Sequence, residues 1–166
     1  MDTQSDDVNL RVPPLTPEIP DWMPPFGIQL RKAGVQFDAV RVDGDPGRTV
    51  ADRLARATGG DPGPVVEEAR GRRAVYFLVP VGSTAHRSWP PGVTRLTAGP
   101  HRVAYIPVPA LGGPTWPLTW RYRPTARDHL VHALLLRAVA EGCRAAAGAD
   151  GSGSVRDADR SRDAHP

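Results

Sequence analysis

The sequence is poor in cysteine, lysine, aromatics and long apolar runs, and each shortage excludes something. Its one cysteine, Cys143, cannot close an internal disulfide. This excludes a disulfide-stapled scaffold and fits a reducing, cytoplasmic setting. One Cys and five scattered His do not supply the three or four convergent ligands of a zinc site. His129 and His132 lie close enough to share a helix face, but no third ligand accompanies them. No stretch of about 18 apolar residues occurs, so no membrane-spanning helix is expected. The start, Met1 to Leu10, is acidic and polar. It lacks the basic and apolar parts of a secretory signal, so secretion by that route is not expected. The lone lysine, Lys32, is followed by Ala33, which excludes a Gly-Lys-Ser/Thr phosphate loop. Gly59-Gly60-Asp61-Pro62-Gly63 is glycine-rich but reads as a turn after a helix.

What is present is arginine, twenty of them, against a net charge of only +3. Biased codon usage raises arginine everywhere, but it does not segregate charge. Residues 1–25 carry five acids and one base, and residues 148–166 carry four acids and three bases. Residues 26–147 hold seventeen bases and nine acids. Within 69–127 there are nine arginines and no Asp or Glu. A one-signed surface concentrates anions, which points to nucleic acid or nucleotide phosphate as the partner. The competing expectation is a solvated basic face covered by the acidic N-terminal arm.

The chain divides into three parts. Residues 1–25 contain six prolines and read as an extended arm, since proline removes amide donors and fixes φ. Trp22, Met23 and Phe26 would anchor this arm on the domain or dock it on a protein partner. Residues 148–166 are Gly, Ser, Asp and Arg with little to bury, and read as a disordered tail. The folded unit is 26–147, one modest core.

Within it, Phe37 to Val42 and Ala74 to Val79 are continuous apolar runs, the signature of internal strands. Asp45-Pro46 reads as a helix start, Asp45 as N-cap and Pro46 at the first helical position. Val50, Leu54 and Ala57 continue it at helical spacing, and Gly59-Gly60 ends it. Val93 to Thr97 and Arg102 to Val108 are shorter strands, the second pushed to a sheet edge by Pro107 and Pro109. Leu118 to Arg123 alternates, with Leu118, Trp120 and Tyr122 on one face and Thr119, Arg121 and Arg123 on the other. Thr125 to Asp128 reads as a capping box opening a last helix, whose stripe is Leu130, Val131, Leu134, Leu135, Ala138 and Val139. The expectation is a single small α+β domain with a mixed or antiparallel sheet, one early helix, a C-terminal helix packed on the sheet, and flexible termini.

Chemistry is sparse. Asp43-Gly44-Asp45 follows a strand and could hold two magnesium ions for phosphoryl transfer, although Asp45 serves equally as a cap and Asp43-Gly44 as a turn. Ser83, Thr84 and His86 cluster after a buried strand, but no local acid orients His86 for a triad. Cys143 lies late in a helix and reads as an inert thiol. Trp89, Tyr105, Trp116, Trp120 and Tyr122 alternate with arginines, the combination that holds single strands by stacking and charge. Trp120 and Tyr122 read as core, so Trp89 and Trp116, in proline-rich loops, are the surface candidates.

The run FDAVRV (37–42), Gly63-Pro64-Val65, YFLVP (76–80) with Gly82 and Trp89, Pro107-x-Pro109, and Trp120-Arg121 with Pro124 resembles small bacterial proteins related to the N-terminal domain of bifunctional DNA primase/polymerases. The resemblance spans roughly 35–140 and implies an α+β fold with nucleotide polymerisation as the ancestral activity. Asp43-Gly44-Asp45 is similar to the first catalytic element of that family, and Thr84-Ala85-His86 to the second. The later apolar-Asp element has no counterpart, since the first acid after His86 is Asp128. The leading expectation is therefore a non-catalytic module, without cofactor, that binds nucleic acid or nucleotide phosphate through Arg72, Arg73, Arg121, Arg123, Arg127, Trp89 and Trp116. The alternatives are a magnesium- or manganese-dependent nucleotidyltransferase using Asp43, Asp45 and His86, and a protein-interaction module using the proline-rich arm.

Overall fold

In the computed structural model, residues 19–151 are described. The expectations for residues 1–18 of the arm and 152–166 of the tail lie outside them. The elements run β1 (Ile28–Lys32), β2 (Asp38–Val42), α1 (Gly44–Ala57), β3 (Val65–Glu68), β4 (Val75–Val79), β5 (Val93–Leu96), β6 (Tyr105–Pro109), β7 (Leu118–Tyr122) and α2 (Ala133–Gly151). Every strand pair is antiparallel, in a five-stranded sheet of order β5-β2-β4-β3-β7 and a two-stranded sheet β1-β6. The domain is α+β. No described helix is long and apolar enough to cross a membrane.

The uninterrupted apolar run of β4 has a simple cause. The strand is central and covered on both faces, so all five of its residues are buried. Val75, Phe77 and Val79 point to one side, where they meet Val40 and Val42 of β2, Val50, Ala51 and Leu54 of α1, and Leu136 and Ala140 of α2. Leu78 points to the other, with Ala39, Phe37, and Ile106 and Val108 of β6. Helices, the larger sheet and the β1-β6 sheet thus form layers. Each fully buried Val, Leu or Phe contributes about 1.5–3 kcal/mol. Gly47 lets α1 sit close on the sheet, because a Cβ there would lie 2.6 Å from the Val42 carbonyl oxygen.

Trp22 and Met23, at 5% and 8% exposure, belong to the core between the two sheets. Trp22 meets Phe37 edge-on at 5.0 Å. The end of the arm is therefore anchored on the domain, while Phe26 is exposed.

Five local readings need correction. The N-cap of α1 is Asp43, not Asp45, and it caps through backbone position with no side-chain hydrogen bond. The Thr125 capping box does not start a helix, because its hydroxyl bonds Asp61 Oδ2 at 3.0 Å and His129 Nδ1 at 2.9 Å. Helix α2 begins at Ala133, with His132 Nδ1 accepting from the Leu135 amide, and it runs on to Gly151, past the point where the tail was expected to begin. Its buried residues are Ala133, Leu136 and Ala140, and Leu134 is 47% exposed. Finally, Trp120 and Tyr122 do not share a face. The β3–β7 register shifts between Val65, opposite Tyr122, and Val66, opposite Trp120. This bulge turns Tyr122 to the helix-side core, while Trp120 packs on the other side.

Candidate nucleic-acid interface

Val42 pairs with Val75, so the β2–α1 loop and the β3–β4 turn lie at the same end of the sheet. The Gly44 amide donates to the Arg73 carbonyl at 3.1 Å and ties the two together. The turn is tight: the Arg73 amide donates to the Arg70 carbonyl at 3.1 Å, Gly71 has φ +62°, and Arg73 itself has φ +53°. It carries Arg70, Arg72 and Arg73 outward. Arg72 Nη1 lies 3.4 Å from Asp43 Oδ2, and Arg73 Nη2 lies 3.4 Å from Asp45 Oδ1. Arg41 Nε holds the other Asp43 oxygen at 2.8 Å, and Arg48 Nη1 lies 3.2 Å from Asp45. The Arg72 side chain remains 78% exposed. Arg70 makes no ion pair among the described residues; its guanidinium lies 5.4 Å from the centre of the Trp116 ring. Trp116 is 69% exposed, and a 2.8 Å bond from the Ala69 amide to the Pro117 carbonyl pins its loop to the turn. This end of the sheet therefore presents three arginines and one open indole.

The other expected binding residues are elsewhere. Arg121 is half-buried between β7 and α1, with Nη2 2.6 Å from Asp52 and Nη1 2.8 Å from Glu67. Arg48 also pairs with Glu67. The Asp52 hydrogen bond raises the Arg121 pKa most, against a smaller opposing effect of burial. Burial pushes the Glu67 carboxyl up, but the hydrogen bonds and charges of Arg48 and Arg121 outweigh it and hold the group below its ordinary value. Arg127 pairs with Asp21 at 2.8 Å. Arg123 is exposed, with no carboxylate partner among the described residues. Trp89 is half-buried against the helix-side core and donates to the Thr84 carbonyl at 3.3 Å. The structure thus brings Arg72, Arg73 and Trp116 together and leaves Arg121, Arg123, Arg127 and Trp89 apart from them. Arg70 was not singled out from sequence; its place beside Gly71, between two strands, was the available signal.

The catalytic alternative does not assemble. Its loop leaves β4 at the end where Val79 pairs with Asp38, opposite to Asp43. The Gly82 amide donates to Asp38 Oδ2 at 2.8 Å and fixes it there. His86 is exposed on this loop with φ +61°. Among the described residues no three His, Cys, Asp or Glu are placed to hold a metal ion. Asp43 and Asp45 are turned to four arginines, so the residues present do not fit a magnesium or manganese pair. Ser83 Oγ donates to the Pro80 carbonyl at 2.6 Å, and His129 lies 3.5 Å from Asp61. Behind Asp43 and Asp45 a cleft of about 780 Å³ opens between α1 and α2, walled by Val42, Val50, Pro90 and the half-buried Cys143.

Comparison of the chain with protein-family models, with curated proteins and with solved structures finds no match.

Proposed function

We propose that the protein is a non-catalytic, primase/polymerase-like module of the cytoplasm that binds nucleic acid or nucleotide phosphate through the β3–β4 turn. One observation carries this reading: Arg70, Arg72 and Arg73 stand beside the exposed Trp116 at one end of the sheet. Guanidinium groups neutralise phosphates, and an open indole stacks on a base. The pairing of Asp43 and Asp45 with arginines supports binding over metal-dependent catalysis.

The test is a titration against a fluorescent single strand and a duplex at two salt concentrations, with and without manganese. The expected result is salt-sensitive binding, independent of manganese. Replacing Arg70, Arg72 and Arg73 by Ala should weaken it about equally across sequences and flatten its salt dependence by roughly 0.7 in log–log slope per lost phosphate contact. Unchanged affinity and slope in the triple variant would remove this interface.

A further inference from the structure

The β1-β6 sheet covers the core with one face and leaves the other bare. Ile106 and Val108 of β6 point inward, where they join Phe37 and Leu78. Tyr105 and Pro107 alternate with them and lie opposite Lys32 and Leu30 of β1, with Ile28 next in register. Side chains directly opposite or two apart share a face, so these residues line the outer one. There Leu30 is 64% exposed, Tyr105 55% and Ile28 38%. The Ala33 amide donates to the Ala104 carbonyl at 2.9 Å and carries the ladder one step further. Beyond that step Val103 is 60% exposed, and Val35, in the turn after β1, is 66% exposed. Among the described residues no hydrophobic cluster includes Ile28, Leu30, Val35, Val103 or Tyr105. The charge here has one sign. Lys32 and Arg102 are exposed beside these side chains. Residues 22–37 and 69–127, the stretches that build this layer, contain no Asp or Glu.

We propose that the outer face of the β1-β6 sheet is a membrane-surface site that lies on anionic phospholipid. Apolar side chains scattered singly on a surface are ordinary, but a contiguous patch marks a contact site. Charge decides what the contact is. A second copy would match apolar to apolar, yet it would bring two cationic faces together with no carboxylate between them. A strand added along the edge of β1 would cover neither Tyr105 nor Val103, which lie one strand away. An anionic bilayer surface satisfies both properties. Leu30, Ile28, Val35 and Val103 enter the boundary between headgroups and acyl chains. Tyr105 keeps its hydroxyl at the headgroup level, as amphipathic rings do at such interfaces. Lys32 and Arg102 meet the lipid phosphates, each reinforcing the attraction. The site shares no residue with the arginine turn and does not rest on it.

Flotation of the full chain with lipid vesicles tests this. The protein should float with vesicles of equal parts phosphatidylcholine and phosphatidylglycerol and stay behind with phosphatidylcholine alone. Leu30→Ser with Tyr105→Ser should lower the partition coefficient about tenfold or more, because both side chains are buried only on the membrane. Lys32→Gln with Arg102→Gln should lower it by about fivefold for each charge, and added salt should act in the same direction. The charge pair reads the face even if the serine pair disturbs β1. Replacing Arg70, Arg72 and Arg73 by Ala should leave flotation unchanged. No flotation on the mixed vesicles would overturn the proposal, as would equal flotation on both kinds. Flotation lost only in the Arg70, Arg72 and Arg73 variant would also overturn it, since the turn would then be holding lipid phosphate. Sedimentation without lipid supplies the last arm: a dimer abolished by Leu30→Ser with Tyr105→Ser would assign the face to a second copy instead.

Discussion

Arg121 Nη1 lies 2.8 Å from Glu67 Oε2 across the β3–β7 pair, and its Nη2 reaches Asp52 of α1. One arginine thereby joins an edge strand to a helix. Its side chain is only 26% exposed and that of Glu67 14%, so the glutamate it would abandon is poorly placed to recover water, whereas Asp52, at 43%, is open to it. Arg121→Ala should cost about 1–3 kcal/mol of unfolding free energy, the range for leaving a buried hydrogen-bond partner unsatisfied. Arg123→Ala, at an exposed position, should stay within about 0.5 kcal/mol. Urea unfolding of both variants measures this. Loss of nucleic-acid binding in Arg121→Ala with stability intact would mean that Arg121 faces ligand instead.

The same cluster sets an acid limit on stability. Burial raises the Glu67 carboxyl, but Arg48 and Arg121 outweigh it, and the folded pKa lies below the ordinary value. A carboxyl lowered on folding contributes stability that is complete above its unfolded pKa, ~4.3, and lost as the pH falls through its folded pKa. Glu67→Gln should therefore be less stable at pH 7 and show a shallower decline below the ordinary glutamate range. Unfolding free energies at neutral and acid pH check the slope. An unaltered acid limb in the variant would contradict the assignment.

Gly63 tests the packing of the segment before α2. It has φ +89°, and a Cβ there would lie 2.7 Å from the Val131 nitrogen and 2.9 Å from the Leu130 carbonyl carbon. That nitrogen donates to the Leu78 carbonyl at 2.8 Å, bonding the segment to β4. Gly60 has φ +99° but open space around its Cβ position. Both Ala variants carry backbone strain of roughly 1–3 kcal/mol, and only Gly63→Ala adds a collision with backbone. Its melting temperature should fall further than that of Gly60→Ala; equal shifts would place the cost in φ alone.

The parts of the fold that could be read from sequence are those where burial is uniform. Strands β2 and β4 and helix α1 declare themselves because a central strand is apolar throughout and a packed helix is apolar on one side. Strands β1 and β3 do not, because IQLRK and VVEE mix charge with apolar residues at an edge and at an ion-pair cluster. The alternation of β7 misled at Tyr122 because a bulge, which leaves no residue signature, moved it to the other face. The charge count misled in a similar way. Residues 69–127 hold no acid, yet Arg72, Arg73, Arg121 and Arg127 find Asp43, Asp45, Asp52, Glu67 and Asp21 from the rest of the chain. Part of the segregation along the sequence was complementarity in space; of the exposed arginines Arg70, Arg72 and Arg73 share one turn, while Arg87, Arg102 and Arg123 lie elsewhere.

That turn makes the sharpest distinction between binding and catalysis. Asp43 and Asp45 occupy the guanidinium groups of Arg72 and Arg73 at 3.4 Å, in pairs open to solvent. Exposed pairs of this kind are worth about 0.2–1 kcal/mol each. An incoming phosphate makes shorter, charge-assisted bonds to the same groups and is repelled by the same carboxylates. If the turn binds phosphate, the carboxylates are competitors, and removing them helps. Asp43→Asn with Asp45→Asn should tighten single-strand binding by about twofold to thirtyfold, the affinity equivalent of two such pairs. The change should cost little stability, since Asp43 makes no side-chain cap bond to α1. A metal-dependent enzyme requires the reverse, because its carboxylates hold the ions that hold the nucleotide. Binding that depends on manganese in the unmodified protein, and that weakens and loses that dependence in the double variant, would therefore restore the catalytic reading, and tighter binding would leave it without its first two residues.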